Sequence, residues 1–223
     1  MHNIAIDGPA GAGKSTIARL AAEKLGFIYV DTGAMYRAMA LYFIRNGIDT
    51  GDEGAVQAAC GDIDISIEYQ DGEQMVILNG ENVNAFIRTE QVSMVTSDIA
   101  RYTPVRAKLL DIQRNLAAVK DIIMDGRDIG TCVLPDAETK IYLTASADER
   151  ARRRYKEQTG RGIACDIEML KQDIIKRDEQ DMNRKTSPLK QAEDAVFLDT
   201  SDLSIEEAVD AVINIYNSKK AAG

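Results

Sequence analysis

Hydrophobic and polar residues follow one pattern over most of the chain. Short apolar runs alternate with longer stretches in which apolar residues recur every three or four positions, as expected of strands that alternate with amphipathic helices. The strands predicted in this way are residues 3–7, 28–30, 122–125, 139–146 and 195–200, and the helices are residues 14–25, 34–46, 51–61, 147–158, 166–182 and 204–218. Such alternation indicates an α/β fold, a parallel sheet with helices on both faces.

Residues 62–88 follow a different period. The stretches DIDISIEY and EQMVILNG alternate apolar and polar positions, and the turn-like residues Gln70, Asp71 and Gly72 separate them. This pattern predicts a small antiparallel sheet, which we interpret as the core of an inserted subdomain that continues into helices to about residue 101. Residues 1–61 and 89–223 then form the core domain.

Three helix starts carry local signals. Ser146 and Ser204 each stand three residues before a glutamate, which is the pattern of a capping box. Thr103 is predicted to cap the second helix after the inserted sheet, with Pro104 at the first helical position.

The stretch GPAGAGKST, from Gly8 to Thr16, connects the first predicted strand to the first predicted helix. It fills the pattern G-x-x-x-x-G-K-[ST], and the strand and helix beside it are the context that this phosphate-binding loop requires. In that setting backbone N–H groups surround a phosphate, the helix N-terminus favours its charge, and Lys14 adds a full positive charge. The alternative is an ordinary glycine-rich turn with a solvated Lys14.

Composition narrows the classes of function. A length of 223 residues suits one α/β domain with a modest insertion, and the net charge of −9 argues against a general nucleic-acid-binding surface. No apolar run approaches membrane-spanning length, and the N-terminus enters a strand without a leader-like pattern, so we expect a cytoplasmic protein without a membrane partner. Cys60, Cys132 and Cys165 are expected to be reduced thiols. The only histidine is the terminal His2, so neither a histidine base nor a histidine-ligated metal is expected.

Charged residues also follow two other strands, where phosphate sites form in sheets of this kind. Asp125 closes an apolar strand, as an acid of the magnesium shell does in phosphate-binding folds, and Arg127 and Asp128 come directly after it. Arg37 falls in the first turns of the helix after the second strand. The alternatives are a surface ion pair at the strand end and a solvated helix residue.

Two arginine-rich helices complete the candidate chemistry. Arg177, Asp181 and Arg184 fall on one face of a predicted helix, a pattern more typical of a solvated salt-bridged face than of a binding site. The stretch ERARRR places arginines on one face of another helix, which favours a polyanionic ligand in a chain of net charge −9. Together with the loop GPAGAGKST these arginines suit phosphoryl transfer, which depends on positioning and charge neutralisation and needs no histidine base.

At this point the sequence resembles the nucleoside monophosphate kinases, and among them the bacterial cytidylate kinases, over essentially its whole length. The motifs that carry the resemblance are IAIDGPAGAGKST, DTGAMYRA, IRTEQVS, DGRDIGT, PDAETKIYLTAS and RDEQDMNR. The phosphate-binding loop alone is shared by many functions, whereas DTGAMYR, DGRDIGT and R-D-x-x-D-x-x-R in this order are specific. The family's substrate-binding insertion, which has its own antiparallel sheet, coincides with residues 62–88.

The resemblance implies a donor site for ATP and Mg²⁺. The ATP phosphates would be bound by Gly8, Pro9, Ala10, Gly11, Ala12, Gly13, Lys14, Ser15 and Thr16. Lys14, Arg127, Arg153 and Arg154 would act on the transferred group, and Arg153 and Arg154 stand at the base of a short lid around residues 155–165. Ser15 and Asp125 would hold Mg²⁺, directly or through water.

The resemblance also implies an acceptor site for CMP or dCMP. Arg37, Arg88 and Arg127 would bind the acceptor phosphate. The base would be read by Ser97, Arg106 and Asp128, the sugar hydroxyls held by Arg177 and Asp181, and Arg184 would support Asp128 and the base. Thr32 stands where some members of the family have serine, and because the hydroxyl is retained we expect its contact to survive. The protein is expected to be a monomer.

Three other classes remain as alternatives. A GTPase-type switch would need an N-K-x-D guanine-reading motif, which the sequence lacks. A P-loop kinase for a non-nucleotide metabolite would not need the inserted sheet or a carboxylate that reads a base. A nucleotide-binding structural module would leave the acceptor-side arginines unexplained.

Overall fold

The structure is a computed structural model that describes residues 1–222. In chain order its elements are β1 (Asn3–Asp7), α1 (Lys14–Leu25), β2 (Ile28–Asp31), α2 (Thr32–Arg45), α3 (Glu53–Ala59), β3 (Ile65–Gln70), β4 (Glu73–Leu78), β5 (Glu81–Asn82), α4 (Glu90–Ile99), α5 (Thr103–Val119), β6 (Ile122–Gly126), β7 (Thr139–Thr144), α6 (Ala147–Gly160), α7 (Ile167–Asn183), β8 (Val196–Asp199) and α8 (Ile205–Ala222). A 3₁₀ turn (Cys60–Asp62) follows α3, and a π-turn (Ile129–Val133) follows β6.

Five parallel strands form the main sheet in the order β2-β6-β1-β7-β8, which confirms the predicted α/β fold. The strand β1 lies at the centre, and its last residue Asp7 is paired in register with Gly126 of β6. The loops that follow β1 and β6 therefore leave the sheet side by side, which places the stretch GPAGAGKST next to Arg127 and Asp128.

Helices cover both faces of this sheet. Ile4 and Ile6 of β1 pack in a core with α1 and α8, whereas Ala5 between them faces a second core that includes Ala117 of α5. Because successive side chains of a strand point to opposite faces, the apolar run of β1 is buried on both sides. The sheet is thus packed on both faces beneath the loops at its carboxyl edge.

The antiparallel sheet predicted within residues 62–88 has the strand order β3-β4-β5. Gln70 pairs with Glu73, and the two residues between them, Asp71 and Gly72, have φ values of 52° and 81°. Positive φ at both positions is the signature of a type I′ hairpin turn, for which Asp-Gly is a preferred sequence. The buried side chains of β3 and β4 share one core with α2, α3, α4 and α5.

Two predicted helix starts are wrong by one or two residues. The helix expected from residue 34 begins at Thr32, because the carboxylate of Asp31 accepts the N–H of Ala34 at 2.9 Å and so caps the helix earlier. Thr103 does not cap α5: the carbonyl of Tyr102 accepts the first intrahelical bond, from Arg106 N, so that Tyr102 is the N-cap.

One of the two predicted capping boxes forms completely, because Ser204 exchanges hydrogen bonds with Glu207. At Ser146 only half of the box forms: Ser146 Oγ accepts the N–H of Glu149, but the N–H of Ser146 donates to Ser201 Oγ, and the Glu149 carboxylate pairs with Arg152 and Arg153 instead. Residues 155–165, assigned to a lid, form the last turns of α6 and the connection to α7. Within residues 1–222 no helix combines the length and the apolar character needed to cross a membrane.

Candidate active site

A cavity of about 820 Å³ opens at the carboxyl edge of the main sheet. Most of the residues proposed from the sequence line it, namely Ala10, Gly11, Gly13, Lys14, Ser15, Thr16, Thr32, Arg37, Ser97, Arg106, Asp125, Arg127, Asp128, Arg153, Arg154, Arg177, Asp181 and Arg184. Gly8, Pro9, Ala12 and Arg88 are not among its lining residues. The tertiary structure therefore brings charged groups from five separate sequence motifs, together with Arg106, around one space.

The loop from Gly8 to Lys14 presents the start of α1 to this cavity. Gly13 is the N-cap of α1 and has a positive φ of 89°; because glycine has no side chain, no side-chain group caps the first turn of the helix. The N–H groups of that turn are left available to an anion, and the helix dipole favours its charge. The loop therefore has the geometry of a phosphate-binding site.

Lys14 is buried, with 5% of its surface exposed, which does not fit a solvated lysine. Its ammonium group donates to the carbonyl of Pro9 at 2.6 Å. Burial, together with repulsion from the Arg127 guanidinium, lowers the pKa of Lys14 to about 7, although Asp125 and Asp7 oppose the change. A bound phosphate would stabilise the charged form of this group.

Gly8 is constrained by packing as well as by conformation. Its φ is 151°, and a Cβ at this position would lie 1.9 Å from the carbonyl oxygen of Leu143 in β7. We expect Gly8→Ala to lower the free energy of unfolding by about 4 kcal/mol or more, because the backbones of two adjacent strands must separate.

A matched control for Gly8→Ala is Gly26→Ala at the end of α1. Gly26 also has a positive φ, 70°, but no atom lies within 4 Å of its added Cβ, so the expected loss is only about 1–2 kcal/mol. Equal losses in urea denaturation would contradict a role of Gly8 in strand packing.

Ser15 and Asp125 lie together beside the start of α1. Ser15 Oγ donates to Asp125 Oδ2 at 2.9 Å, and the Tyr29 hydroxyl donates to Asp125 Oδ1 at 2.9 Å. Burial, with a further contribution from Asp31, raises the pKa of Asp125 to about 6. A nearby cation would relieve this cost, and the two groups supply the hard oxygen ligands that Mg²⁺ prefers.

These oxygens do not form a complete metal cage. Within residues 1–222 no cluster of three or more His, Cys, Asp or Glu side chains could hold a metal ion. Such a sparse set fits a magnesium ion that takes its remaining ligands from substrate phosphates and water.

On the strand next to Asp125, Asp31 lies close to two arginines. Its Oδ2 pairs with Arg37 Nη2 at 2.8 Å, and Arg88 Nη2 lies 3.6 Å from the same oxygen. The Nε of Arg37 is buried and has no hydrogen-bond partner within residues 1–222. An unpaired buried donor is costly, so this group is suited to receive an anionic ligand.

Gln74 joins the inserted sheet to this region. Its side-chain amide accepts from Asp31 N at 2.8 Å and donates to Asp31 O at 3.1 Å. The side chain thereby pairs with the backbone N–H and carbonyl of Asp31 at the edge of β2, as a neighbouring strand would. Sequence reasoning assigned no role to either residue, although Asp31 is the first residue of the motif DTGAMYRA and follows a predicted strand.

Arg127 and Asp128 do not pair with each other at the surface. Asp128 is 5% exposed and pairs with Arg106, and Arg184 Nη2 lies 3.7 Å from its other oxygen. Arg127 Nε donates to Asp181 Oδ2 at 2.9 Å. The result is a buried network of alternating charges in which each carboxylate faces at least one arginine from a distant part of the chain.

The face of α7 that carries Arg177, Asp181 and Arg184 is not solvated. Asp181 is buried, and the Nε of Arg177 is buried without a partner within residues 1–222. Burial and the neighbouring Arg127 lower the pKa of Arg177 to about 10. This face therefore belongs to the cavity rather than to a surface salt-bridge pattern.

Two arginines of α6 contact the phosphate-binding loop. Arg153 donates to the carbonyls of Ala12 at 3.3 Å and Thr200 at 2.7 Å, and Arg154 lines the cavity. Arg150 was not assigned a role in the site from the sequence, yet it is buried and donates to the carbonyl of Ala10 at 3.0 Å. It fixes α6 to the loop, so that a movement of α6 and the loop would be coupled.

Thr32 and Ser97 occupy the cavity wall. The Thr32 hydroxyl donates to the carbonyl of Asp125 at 2.7 Å, which ties the start of α2 to β6. Ser97 lies on α4, and its hydroxyl makes a long bond of 3.4 Å to the carbonyl of Ser93.

The sheet, the loop GPAGAGKST and the arginine-lined cavity define a P-loop kinase of the nucleoside monophosphate kinase type. Residues 4–218 match the model of the cytidylate kinase family. The chain belongs to this family, which confirms the resemblance seen in the sequence.

Two relatives and one solved structure illustrate the match. The cytidylate kinase of Caldicellulosiruptor bescii is 50% identical over 214 residues, covering 96% of this chain and 95% of the relative. The cytidylate kinase of Geobacillus kaustophilus is 46% identical over 217 residues, covering 97% of each chain. An uncharacterised protein from Eubacterium ventriosum shares the fold with a TM-score of 0.51 and 11% identity, covering 98% of this chain and 99% of its own.

Proposed function

We propose that the protein transfers the γ-phosphoryl group of ATP to CMP or dCMP, giving ADP and CDP or dCDP. The observation that carries this proposal is that one cavity is lined both by the phosphate-binding loop and by the buried Asp128 carboxylate with its arginines. Such an arrangement can hold a donor and an acceptor with their phosphates adjacent.

On the donor side the open N-terminus of α1 and Lys14 hold the phosphates of ATP. Lys14, already desolvated, offers its charge where negative charge develops during transfer, and Arg153 and Arg154 approach from α6. Mg²⁺ would be held by Ser15 Oγ and the Asp125 carboxylate, directly or through water. When bound, it neutralises charge on the transferring phosphates.

On the acceptor side Arg37, Arg88 and Arg127 bind the phosphate of CMP. Asp31 and Asp181 now pair with these arginines, and the buried Nε of Arg37 lacks a partner within residues 1–222. A phosphate would satisfy that donor with a charge-assisted hydrogen bond. Arg177 and Asp181, on the adjacent face of α7, hold the sugar hydroxyls.

The cytosine base is read by Asp128, with Arg106 and Ser97 beside it. An ionised carboxylate only accepts hydrogen bonds, so it favours the C4 amino group of cytosine over the C4 carbonyl of uracil. Arg184 lies near the second oxygen of Asp128 and holds that carboxylate towards the cavity.

An assay of ADP formation tests the proposal. The protein is incubated with ATP, Mg²⁺ and one of CMP, dCMP, UMP, AMP or GMP, or with no acceptor. We expect the fastest reaction with CMP and dCMP, a slow one with UMP, and little ADP without an acceptor. Equal rates with and without acceptors would indicate an ATPase or a nucleotide-binding module instead, and a response only to a non-nucleotide acceptor would indicate a metabolite kinase.

We also propose that binding of both substrates closes the inserted subdomain and the lid. Closure excludes water, which would otherwise hydrolyse ATP. Backbone hydrogen exchange in residues 62–101 and 150–165 should therefore slow when CMP and a non-hydrolysable ATP analogue bind together. The buried strand β6 serves as the internal control, and the proposal fails if exchange is unchanged in both segments.

We further propose that the protein works as a monomer in the cytoplasm, without nucleic-acid or membrane partners. The net charge of −9 opposes a general nucleic-acid-binding surface, and Cys60, Cys132 and Cys165 are free thiols, as expected in a reducing compartment. Sedimentation at micromolar concentration would test the oligomeric state.

A further inference from the structure

The π-turn Ile129–Val133 begins in an unusual way. Asp128 is its N-cap residue, and the carbonyl of Asp128 accepts the N–H groups of Cys132 and Val133 at 2.9 and 3.2 Å. An aspartate at an N-cap normally accepts the first free N–H groups with its own side chain. Here the Asp128 side chain makes no capping bond and pairs with Arg106 instead.

The missing cap is supplied by Asp7, from the neighbouring strand β1. Asp7 Oδ1 accepts the N–H of Ile129 at 2.7 Å, and Asp7 Oδ2 accepts the N–H of Gly130 at 2.7 Å. Asp7 is 4% exposed, and it directly precedes Gly8 of the phosphate-binding loop. One buried carboxylate thus fixes two consecutive peptide groups immediately after Asp128.

We propose that Asp7 is a positioning residue, which caps the π-turn in place of Asp128 and thereby leaves the Asp128 carboxylate free to read the acceptor base. This inference rests on the proposed function, because it assumes that Asp128 contacts the base. Asp7 itself is buried and does not line the cavity, so its role is to position the turn.

The chemistry of the two bonds requires a carboxylate. Two N–H donors need two acceptor oxygens, and an asparagine amide offers only one oxygen and an additional donor. Asp7 faces Lys14, which favours its charged form, and Asp128, which opposes it. Burial raises the pKa of Asp7 to about 6, and the N–H groups of Gly130 and Ile129 oppose this rise because they stabilise the ionised carboxylate.

The decisive variant is Asp7→Asn, which retains the shape of the side chain. Without the second acceptor, the Asp128 carboxylate is expected to rotate towards the free N–H groups of the turn. The ratio of kcat/KM for CMP to kcat/KM for UMP should then fall about tenfold or more, while the KM for ATP changes less than about threefold. Each assay is run well below the unfolding midpoint of the variant.

Asp121→Asn is the matched control. Asp121 Oδ1 also accepts a backbone N–H, from His2 at 2.7 Å, but it lies at the opposite end of the sheet from the cavity. This variant should lower the unfolding midpoint and leave the CMP-to-UMP ratio unchanged. A second variant, Asp7→Glu, keeps both acceptor oxygens. Its CMP-to-UMP ratio of kcat/KM should therefore stay closer to that of the unmodified protein than the ratio of Asp7→Asn does.

A double-mutant cycle with Asp128→Asn separates the possible failures. If Asp7 acts through Asp128, the double variant should have the same ratio as Asp128→Asn alone. If Asp128→Asn changes the ratio but Asp7→Asn does not, Asp7 only stabilises the fold and the inference is overturned. If Asp128→Asn leaves the ratio unchanged, the base-reading part of the proposed function fails first, and the inference falls with it.

Discussion

Replacing Lys14 with alanine is expected to lower kcat about 10³-fold while the protein remains folded. The ammonium group is the one full charge contributed by the phosphate-binding loop, and loss of such a group removes stabilisation that develops mainly in the transition state. The fold should tolerate the change, because burial and Arg127 already disfavour the charged lysine in the folded state. We therefore expect an unfolding midpoint equal to or above that of the unmodified protein.

The control for Lys14→Ala is Lys24→Ala on the same helix. Lys24 is exposed and pairs with Asp210 on α8, far from the cavity, so its loss should leave kcat within about twofold of the original value. Steady-state kinetics with CMP, together with thermal unfolding, measures both variants. If Lys14→Ala keeps near-normal turnover while folded, the assignment of the stretch GPAGAGKST to the ATP phosphates is wrong.

Asp128→Asn or Asp128→Ala is expected to lower kcat/KM for CMP by an amount that corresponds to a loss of about 2–4 kcal/mol in transition-state stabilisation. The kcat/KM for UMP should fall far less. The carboxylate accepts a hydrogen bond from the cytosine amino group. A site built around such a bond discriminates against any complex in which one of the two polar groups is left unpaired, as the cytosine amino group would be after the substitution. With asparagine the side chain also gains a donor, which suits the uracil carbonyl. The preference for CMP should therefore narrow, as measured by kcat/KM for both acceptors.

The structure also supports an alternative role for Asp128, which is to fix the position of Arg106. Because Asp128 pairs with Arg106, it could act only to order that arginine, and CMP and UMP would then lose activity equally. Asp178→Asn is the matched control, since Asp178 is similarly buried and pairs with Arg150 at 2.6 Å but does not line the cavity. It should reduce activity with both acceptors alike. An unchanged CMP-to-UMP ratio in the Asp128 variants would rule out base reading.

The sequence by itself determined the elements whose signals are local. The strand–loop–helix unit around Gly8 and Lys14 is specified by glycine conformations and the apolar runs beside them, and α1 spans residues 14–25 as predicted. The turn at Asp71 and Gly72 is equally local, since positive φ at both positions suits this dipeptide. The family followed from the order of the motifs along the chain.

Only the tertiary structure decided which charges meet. Arg127 and Asp181 are 54 residues apart, Arg106 and Asp128 are 22 apart, and Asp7 lies 122 residues before the N–H of Ile129 that it accepts. Nothing in the local pattern of α7 distinguishes a buried charged face from a solvated one, because the same spacing of arginine and aspartate serves both. Whether this face is buried is set by the strand order, which places the carboxyl ends of β1 and β6 side by side and next to α7. The burial and the pairing of these charges therefore depend on packing between residues that are far apart in the sequence.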